Sequence, residues 1–219
     1  MSEQSMPARV LSEALGTALL LAAVVGSGIM AEKLAGGNVA IALLANALAT
    51  GAVLVVLITM FGAISGAHFN PAVSLVATMD GDLSPPMLAI YVVAQIVGAI
   101  AGVWLAHAMF DLPILQVSST VRTGAGQWIS EVVATFGLVL SILLTVRYRP
   151  DFVAVVVGLY ITSAYWFTAS TSFANPAVTV ARTLTNTFAG IAPGDAAPFI
   201  GAQIVGAVLG LAAARVLRR

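Results

Sequence analysis

Two asparagines, each followed by Pro-Ala-Val, are the polar residues best placed to do chemistry in an otherwise apolar chain. The two boxes comprise Asn70, Pro71 and Ala72, and Asn175, Pro176 and Ala177. An amide side chain donates and accepts hydrogen bonds but provides no nucleophile, so such a pair would handle a solute by exchanging hydrogen bonds with it. The sequence offers no Ser-His-Asp set, phosphate-binding glycine loop or cluster of metal ligands, and we expect no metal, no cofactor and no enzymatic activity.

The composition places these asparagines in a membrane protein. Of 219 residues, 60% are hydrophobic and 8% are charged, against roughly 25% charged residues in a soluble domain. The balanced charge and the absence of cysteine predict neither a nucleic-acid partner nor disulfides. Six apolar runs are long enough to cross a bilayer as helices, and we expect the first to be retained and not cleaved as a signal peptide. The runs are 10–31, 39–62, 87–109, 128–147, 152–169 and 197–216.

Three short phrases occur twice, in the same order. "SEALGT" at 12–17 corresponds to "SEVVAT" at 130–135, "NPAVSLVAT" at 70–78 to "NPAVTVART" at 175–183, and "AQIVGAIAG" at 94–102 to "AQIVGAVLG" at 202–210. The offsets of 118, 105 and 108 residues indicate two copies of one unit, about 8–110 and about 126–217, within a single transmembrane domain, 1–219. Each copy holds three spans, so the second enters from the opposite face, and sites in such inverted repeats lie near the midplane.

The segments around the two boxes are too apolar for solvated loops and too short to cross the membrane. Pro71 and Pro176 suit the first turn of a helix, and Asn70 and Asn175 suit its N-cap. Each box therefore predicts a re-entrant half-helix, whose preceding backbone lines a watery cavity. A purely structural interpretation, in which the asparagines act only as caps, remains open.

The distribution of basic residues predicts the orientation of the chain. With both termini cytoplasmic, six basic residues lie inside and three outside, as the positive-inside rule favours. The inner set is Arg9, Arg147, Arg149, Arg215, Arg218 and Arg219, and the outer set is Lys33, Arg122 and Arg182.

Two Asn-Pro-Ala boxes in an inverted repeat of three spans each resemble the aquaporin family, including the aquaglyceroporins, over nearly the whole chain. "SGAHFNPAV" at 65–73 is the strongest signature. The resemblance implies an all-α membrane protein of six transmembrane helices and two re-entrant half-helices that meet at the midplane. It also implies a passive channel for water and small neutral solutes, assembled as a homotetramer in the inner (plasma) membrane. In aquaporin-type pores the half-helix dipoles disfavour cations.

The resemblance also assigns a selectivity filter. Family members usually carry arginine directly after the second box, where this sequence has Val178. Family spacing assigns Thr50 on the second helix and Ser172 in the loop. On the fifth helix, spacing alone gives Ser163, whereas a loop shortened by two residues gives Tyr165. Because three of these residues are small, we expect an arginine-free constriction that is wider than a single file of water requires.

The phrase "VTVART" at 178–183 is similar to the arsenic-associated bacterial subgroup of the family. That similarity implies arsenous acid as a solute, because As(OH)3 is neutral at pH 7 and resembles glycerol in its hydroxyl groups. Methylated arsenicals and organic acids are further candidates.

Two polar residues near the boxes are expected to line the pore vestibule. His68 matches the family's inner-vestibule histidine, which donates to the pore or tethers the loop, and a pH gate is a further interpretation. Arg182 lies four residues after Val178, on the same helix face one turn further out. It either forms a charge at the outer mouth that attracts anions or snorkels to the headgroups, and the sequence slightly favours snorkelling.

Four buried polar positions are expected to support the re-entrant loops. Glu13 and Glu131 recur in the repeated "SE" phrases, which favours carboxylates that accept hydrogen bonds from the loop backbone over carboxylates that reach the interface. Gln95 and Gln203 are expected to assist them.

Several functions are compatible with these residues. A channel for neutral solutes is favoured, and a water-dominated pore is its main alternative. A proton-coupled carrier would use Glu13 and Glu131 as its relay. An adhesive or structural member of the family that conducts little is a third class, which the small filter residues disfavour.

Overall fold

The computed structural model describes residues 4–218, and within that range the chain forms eight α-helices and one 3-10 turn. Arg219, which the orientation argument counts as cytoplasmic, lies outside the described residues. The helices are α1 (Met6–Leu34), α2 (Val39–Ser65), α3 (Pro71–Asp80), α4 (Pro85–Met109), α5 (Ala125–Tyr148), α6 (Val153–Phe167), α7 (Pro176–Arg182) and α8 (Pro193–Leu217).

Six helical segments are long and apolar enough to cross a membrane, as the sequence predicts; the fifth is α6 together with the 3-10 turn before it, Pro150–Phe167. α1 begins four residues before its apolar run, and polar side chains cap both α1 and α2: Ser5 and Asn38 accept from the backbone N–H groups of Ala8 and Ile41. Hydropathy alone does not detect such caps, since they lie outside the apolar run. The prediction of an all-α protein with six transmembrane helices is confirmed.

The two remaining helices are the half-helices expected at the boxes. α3 has 10 residues and α7 has 7, about 15 and 10 Å of helix, which cannot cross a core of about 30 Å. Asn70 and Asn175 are their N-caps, and a proline occupies the first turn of each. The chain leaves α2 through Gly66, whose φ of 91° is in the left-handed region. This conformation lets α2 end sharply before the re-entrant loop.

The helices pack in the same order in both halves: α1 against α4, α5 against α8, and α2 against α6 across the two halves. Glycines allow the close contacts. A Cβ at Gly98 would collide with the Ala14 carbonyl oxygen of α1, and a Cβ at Gly206 with the Val132 carbonyl oxygen of α5. Small residues at such crossings let helix backbones approach closely in a membrane.

Replacing Gly206 with valine is expected to push α8 away from α5. Because the obstacle is backbone, relaxation is limited, and overpacking costs about 1–3 kcal/mol, which corresponds to a fall in Tm of roughly 5 °C for a chain of this size. Thermal unfolding of the purified protein in detergent measures the shift. Gly201→Val is the matched control, since Gly201 lies on the same helix and no neighbouring atom lies within 4 Å of its Cβ position. Equal shifts in the two variants would contradict close packing at Gly206.

An ion-pair cluster ties the C-terminal end of α3 to the end of α8. Arg215 Nε lies 3.2 Å from Asp80 Oδ1, and Arg218 Nη1 lies 2.6 Å from Asp80 Oδ2. Arg215 also donates to the Met79 carbonyl. Burial by itself raises the pKa of Asp80, but the hydrogen bonds and charges of Arg218 and Arg215 outweigh it and hold the pKa below its ordinary value.

The stability that this cluster contributes is expected to depend on pH. Because the pKa of Asp80 is lower in the folded chain, the contribution is complete above the ordinary carboxyl range and is lost as pH falls through the lowered pKa. Arg215 is half exposed, so the contribution is about 0.5 kcal/mol. Thermal unfolding of wild type and Asp80→Asn should differ slightly at pH 7, and the difference should shrink below about pH 4 and vanish as pH falls through the lowered pKa of Asp80. A difference that grows on acidification would contradict the assignment.

Candidate pore and selectivity filter

The two box asparagines link the two halves of the chain, because the side chain of each one binds the loop that precedes the other. Asn70 Nδ2 donates to the Ala174 carbonyl at 2.7 Å, and Asn175 Nδ2 donates to the Phe69 carbonyl at 2.8 Å. Each Oδ1 accepts from the first turn of its own half-helix. Capping therefore occupies the oxygen, whereas each amide nitrogen keeps a second N–H for a solute. The residues are both caps and candidate pore donors.

The backbone before each asparagine is held in a strained conformation. Ala67 and Phe69 precede Asn70 with φ values of 50° and 48°, and Ser172 and Ala174 precede Asn175 with 52° and 47°. Left-handed backbone costs about 1–2 kcal/mol for residues other than glycine. Such residues persist only where their surroundings determine the conformation.

A buried carboxylate determines each loop. Glu13, which is fully buried, accepts from the backbone N–H groups of His68 at 3.0 Å and Phe69 at 2.7 Å. Glu131 accepts from those of Phe173 and Ala174, both at 2.9 Å. The expected contacts between the carboxylates and the re-entrant backbone are present, and neither side chain reaches an interface.

The two glutamines link each carboxylate to a half-helix. Gln95 Nε2 donates to Glu13 at 2.8 Å and to the Ser74 hydroxyl at 2.9 Å. Gln203 Nε2 donates to Glu131 at 2.6 Å and to the hydroxyl of Thr179 at 2.8 Å. Both amide nitrogens are fully used, so these residues hold the loops and do not face the pore.

A cavity of about 280 Å³ runs past both boxes and contains the predicted filter residues. Thr50, Tyr165, Ser172 and Val178 all line it. The Thr50 hydroxyl lies 3.2 Å from the Tyr165 hydroxyl, so the α2 and α6 positions meet across the filter. Ser172 lines the cavity, and its buried hydroxyl has no hydrogen-bond partner among the described residues.

The structure decides between the two candidates on the fifth span. Tyr165 is buried and lines the cavity, whereas Ser163 is exposed on the outer surface and donates to the Tyr160 carbonyl of its own helix. The assignment of Ser163 to the filter is therefore wrong. Residues two positions apart on a helix face different directions. From the sequence, only the length of the loop after α6 selects between Ser163 and Tyr165.

The favoured interpretation of Arg182 is also wrong. The side chain does not snorkel outward, since it is 2% exposed and lines the cavity with Thr50 and Tyr165. Position 178 lacks arginine as expected, but the cavity as a whole does not. The helix continues to Arg182 and the loop folds over it, which the spacing alone did not indicate.

His68 lines the same cavity as the filter residues. Its Nδ1 is 3.0 Å from the Ser74 hydroxyl, and its ring packs edge-on against Tyr91 with centroids 5.5 Å apart. These contacts fit a residue that tethers the loop while facing the pore.

Sequence reasoning missed two residues near Arg182, namely Phe173 and Arg122. Arg122, in the segment between α4 and α5, donates through Nε to the Gly190 carbonyl at 2.8 Å. Its guanidinium carbon lies 5.2 Å from the centre of the Phe173 ring. Arg122 does not line the cavity itself, and only the folded loop brings it beside Phe173, which does. No motif surrounds Arg122, whereas Phe173 could have been suspected from its place two residues before Asn175.

The fold and the site together define a multi-pass membrane channel: six helical segments are able to span a membrane, and four of them, with the two capped half-helices and the loops before them, line one cavity. Residues 1–150 match the family model described as major intrinsic protein. The chain therefore belongs to the major intrinsic protein family, the aquaporins and aquaglyceroporins, and is a channel for water and small solutes, not an enzyme.

Individual relatives agree with this family. The chain is 59% identical over 217 residues to "Aquaglyceroporin AqpS" of Rhizobium meliloti (strain 1021), covering 99% of this chain and 93% of that protein. It is 34% identical over 143 residues to "Aquaporin TIP4-4" of Zea mays, covering 63% and 56% of the two chains. The X-ray structure of the aquaglyceroporin from Plasmodium falciparum superposes with a TM-score of 0.72 over 97% of each chain, at 22% identity, which supports the fold.

Proposed function

We propose that the chain conducts small neutral hydroxylated solutes passively, arsenous acid among them, together with glycerol-like solutes, methylated arsenicals and water. The observation that carries the proposal is Val178, a small apolar residue that lines the cavity directly after the second box. The hydroxyls of Thr50, Tyr165 and Ser172 lie in the same cavity. The similarity to a protein named as an aquaglyceroporin supports a solute larger than water.

The roles of the site residues follow from this proposal. Asn70 and Asn175 donate at the midplane, while the carbonyls of the preceding loops accept, so that a solute exchanges hydrogen bonds stepwise and needs no chemistry. Thr50, Tyr165, Ser172 and Val178 set the width and polarity of the filter. A molecule such as As(OH)3 both donates and accepts through each hydroxyl, which suits a cavity with donors and acceptors on opposite sides.

The proposal includes the assembly and the orientation. Each subunit contains its own pore, and we infer a homotetramer in the plasma membrane with both termini cytoplasmic, supported by the excess of basic residues at the inner ends. The two repeats, about 8–110 and 126–217, supply one half-helix each.

Uptake of arsenous acid into proteoliposomes tests the function. A channel predicts a rate that rises linearly with concentration and is unchanged by a protonophore. A rate that saturates and collapses with the proton gradient would instead support a carrier. Both oxygens of the Glu13 and Glu131 carboxylates already accept hydrogen bonds from the loop backbone, which argues against such a relay.

One observation favours the water-dominated alternative. Tyr165 places an aromatic ring in the filter, and a ring can narrow a pore to the width of a water file. Comparing glycerol with water permeability separates the two functions, since a water-dominated pore would exclude glycerol.

A further inference from the structure

Arg182 occupies an unusual place relative to the second box. It is the last residue of α7, four residues after Val178 and therefore about one helical turn further along the same face. Its side chain is 2% exposed and lines the same cavity as Thr50, Tyr165 and Ser172. A guanidinium remains charged in proteins, so a positive charge is present in the pore although Val178 carries none.

The surroundings fix the guanidinium but leave part of it free. Nε donates to the Ala189 carbonyl, and the guanidinium carbon lies 3.4 Å from the centre of the Phe173 ring. Within the described chain this is the one hydrogen bond that the Arg182 side chain donates. Its Nη nitrogens are therefore held in place without a protein acceptor and are available to oxygen atoms in the cavity.

The charge of Arg182 is not neutralised by an ion pair. Among the described residues, the salt bridges are those of Asp80 with Arg215 and Arg218. The guanidinium of Arg122, whose carbon is 5.2 Å from the Phe173 ring centre, adds a second positive charge nearby. Arg122 is bound by the carbonyls of Gly190 and Ser170, and the Asp195 carboxylate accepts from its backbone N–H.

A second observation points to a solute at this level. Ser172 is 3% exposed and lines the cavity. Its hydroxyl has no hydrogen-bond partner among residues 4–218. A molecule with several oxygen atoms could accept from Arg182 and pair with Ser172 at once. A cation would be repelled by the Arg182 charge, and it would have no acceptor atom with which to take a hydrogen bond from the guanidinium.

We propose that Arg182 is the charged, specificity-determining residue of this filter, acting from one turn beyond the position after the second box. It excludes cations and donates hydrogen bonds to the oxygen atoms of neutral hydroxylated solutes. The inference deepens the proposed function, because it assigns the polarity of the same pore, but it does not depend on arsenous acid being the solute.

Charge-matched variants test this role. In proteoliposomes, Arg182→Gln removes the charge, Arg182→Lys keeps it, and Arg147→Gln changes an exposed arginine away from the cavity. A pH-sensitive dye reports proton entry under an imposed potential, and light scattering reports water flux. We expect Arg182→Gln to raise the proton leak about tenfold or more, because a unit charge a few ångströms away raises the barrier by that order. Arg182→Lys and Arg147→Gln should stay within about twofold of wild type.

Two results would overturn the proposal: a leak that is unchanged in folded, water-conducting Arg182→Gln, or equal leaks in the Gln and Lys variants, as a purely structural role predicts. If Arg182→Gln does not fold, wild type still provides a test. Wild type should admit neutral formamide much faster than methylammonium, a cation of similar size, and equal entry would overturn the charged filter. None of these measurements uses arsenous acid. The proposal that the chain conducts arsenous acid can therefore fail while the role of Arg182 stands, and the role of Arg182 can fail while that proposal stands.

Discussion

Replacing Val178 with arginine is expected to reduce the flux of arsenous acid and glycerol at least about tenfold while water flux changes much less. Val178 is buried and lines the cavity beside the Asn175 cap, so a longer side chain there enters the path of the solute. The new guanidinium would also lie one turn from Arg182, and like charges at this spacing repel. Solute and water permeabilities of proteoliposomes measure the effect.

Val178→Met is the matched control for this change. Methionine adds length without charge, so it separates width from electrostatics: a similar loss of solute flux in both variants would assign the effect to width. Undiminished glycerol and arsenous acid flux through folded Val178→Arg would show that position 178 is not the constriction.

Replacing Glu131 with alanine is expected to destabilise the second re-entrant loop severely. The change leaves three donors without their acceptor: the backbone N–H groups of Phe173 and Ala174 and one N–H of the Gln203 side-chain amide. Each unsatisfied buried group costs about 1–3 kcal/mol, so roughly 3 kcal/mol or more is lost in total. The left-handed backbone at Ser172 and Ala174 would also lose its support. We expect a large fall in Tm and little folded protein.

Two variants make this result interpretable. Glu131→Gln keeps one oxygen acceptor and should show an intermediate loss of stability. Glu32→Ala removes an exposed carboxylate from α1 and should have little effect. If Glu131→Ala keeps its Tm but loses transport, the residue acts in translocation and does not support the loop.

The sequence predicts those parts of the site that local signals define. Two Asn-Pro-Ala phrases specify an N-cap and a first-turn proline wherever they occur, so the half-helices at Pro71 and Pro176 could be predicted before the fold was known. The repeated glutamates could be assigned to the loops because each recurs in an "SE" phrase at the start of the first span of its repeat, four residues before a threonine.

Residues whose roles depend on loop paths were harder to predict. Ser163 and Tyr165 differ by two positions on one helix, and the length of the following loop determines which one faces the pore. Arg182 was expected to snorkel because an arginine at a helix end near a membrane surface usually does, but the Ala189 carbonyl and the Phe173 ring hold it inside. Arg122 comes beside Phe173 only through a folded connector, which no local pattern describes.

Stopped-flow light scattering of proteoliposomes, with water, glycerol and arsenous acid compared in the same preparation, separates a solute channel from a pore for water alone. We expect glycerol and arsenous acid both to enter well above the rate of empty liposomes, alongside water. Fast water flux with no entry of either solute would contradict a filter built around Val178 that admits hydroxylated solutes larger than water.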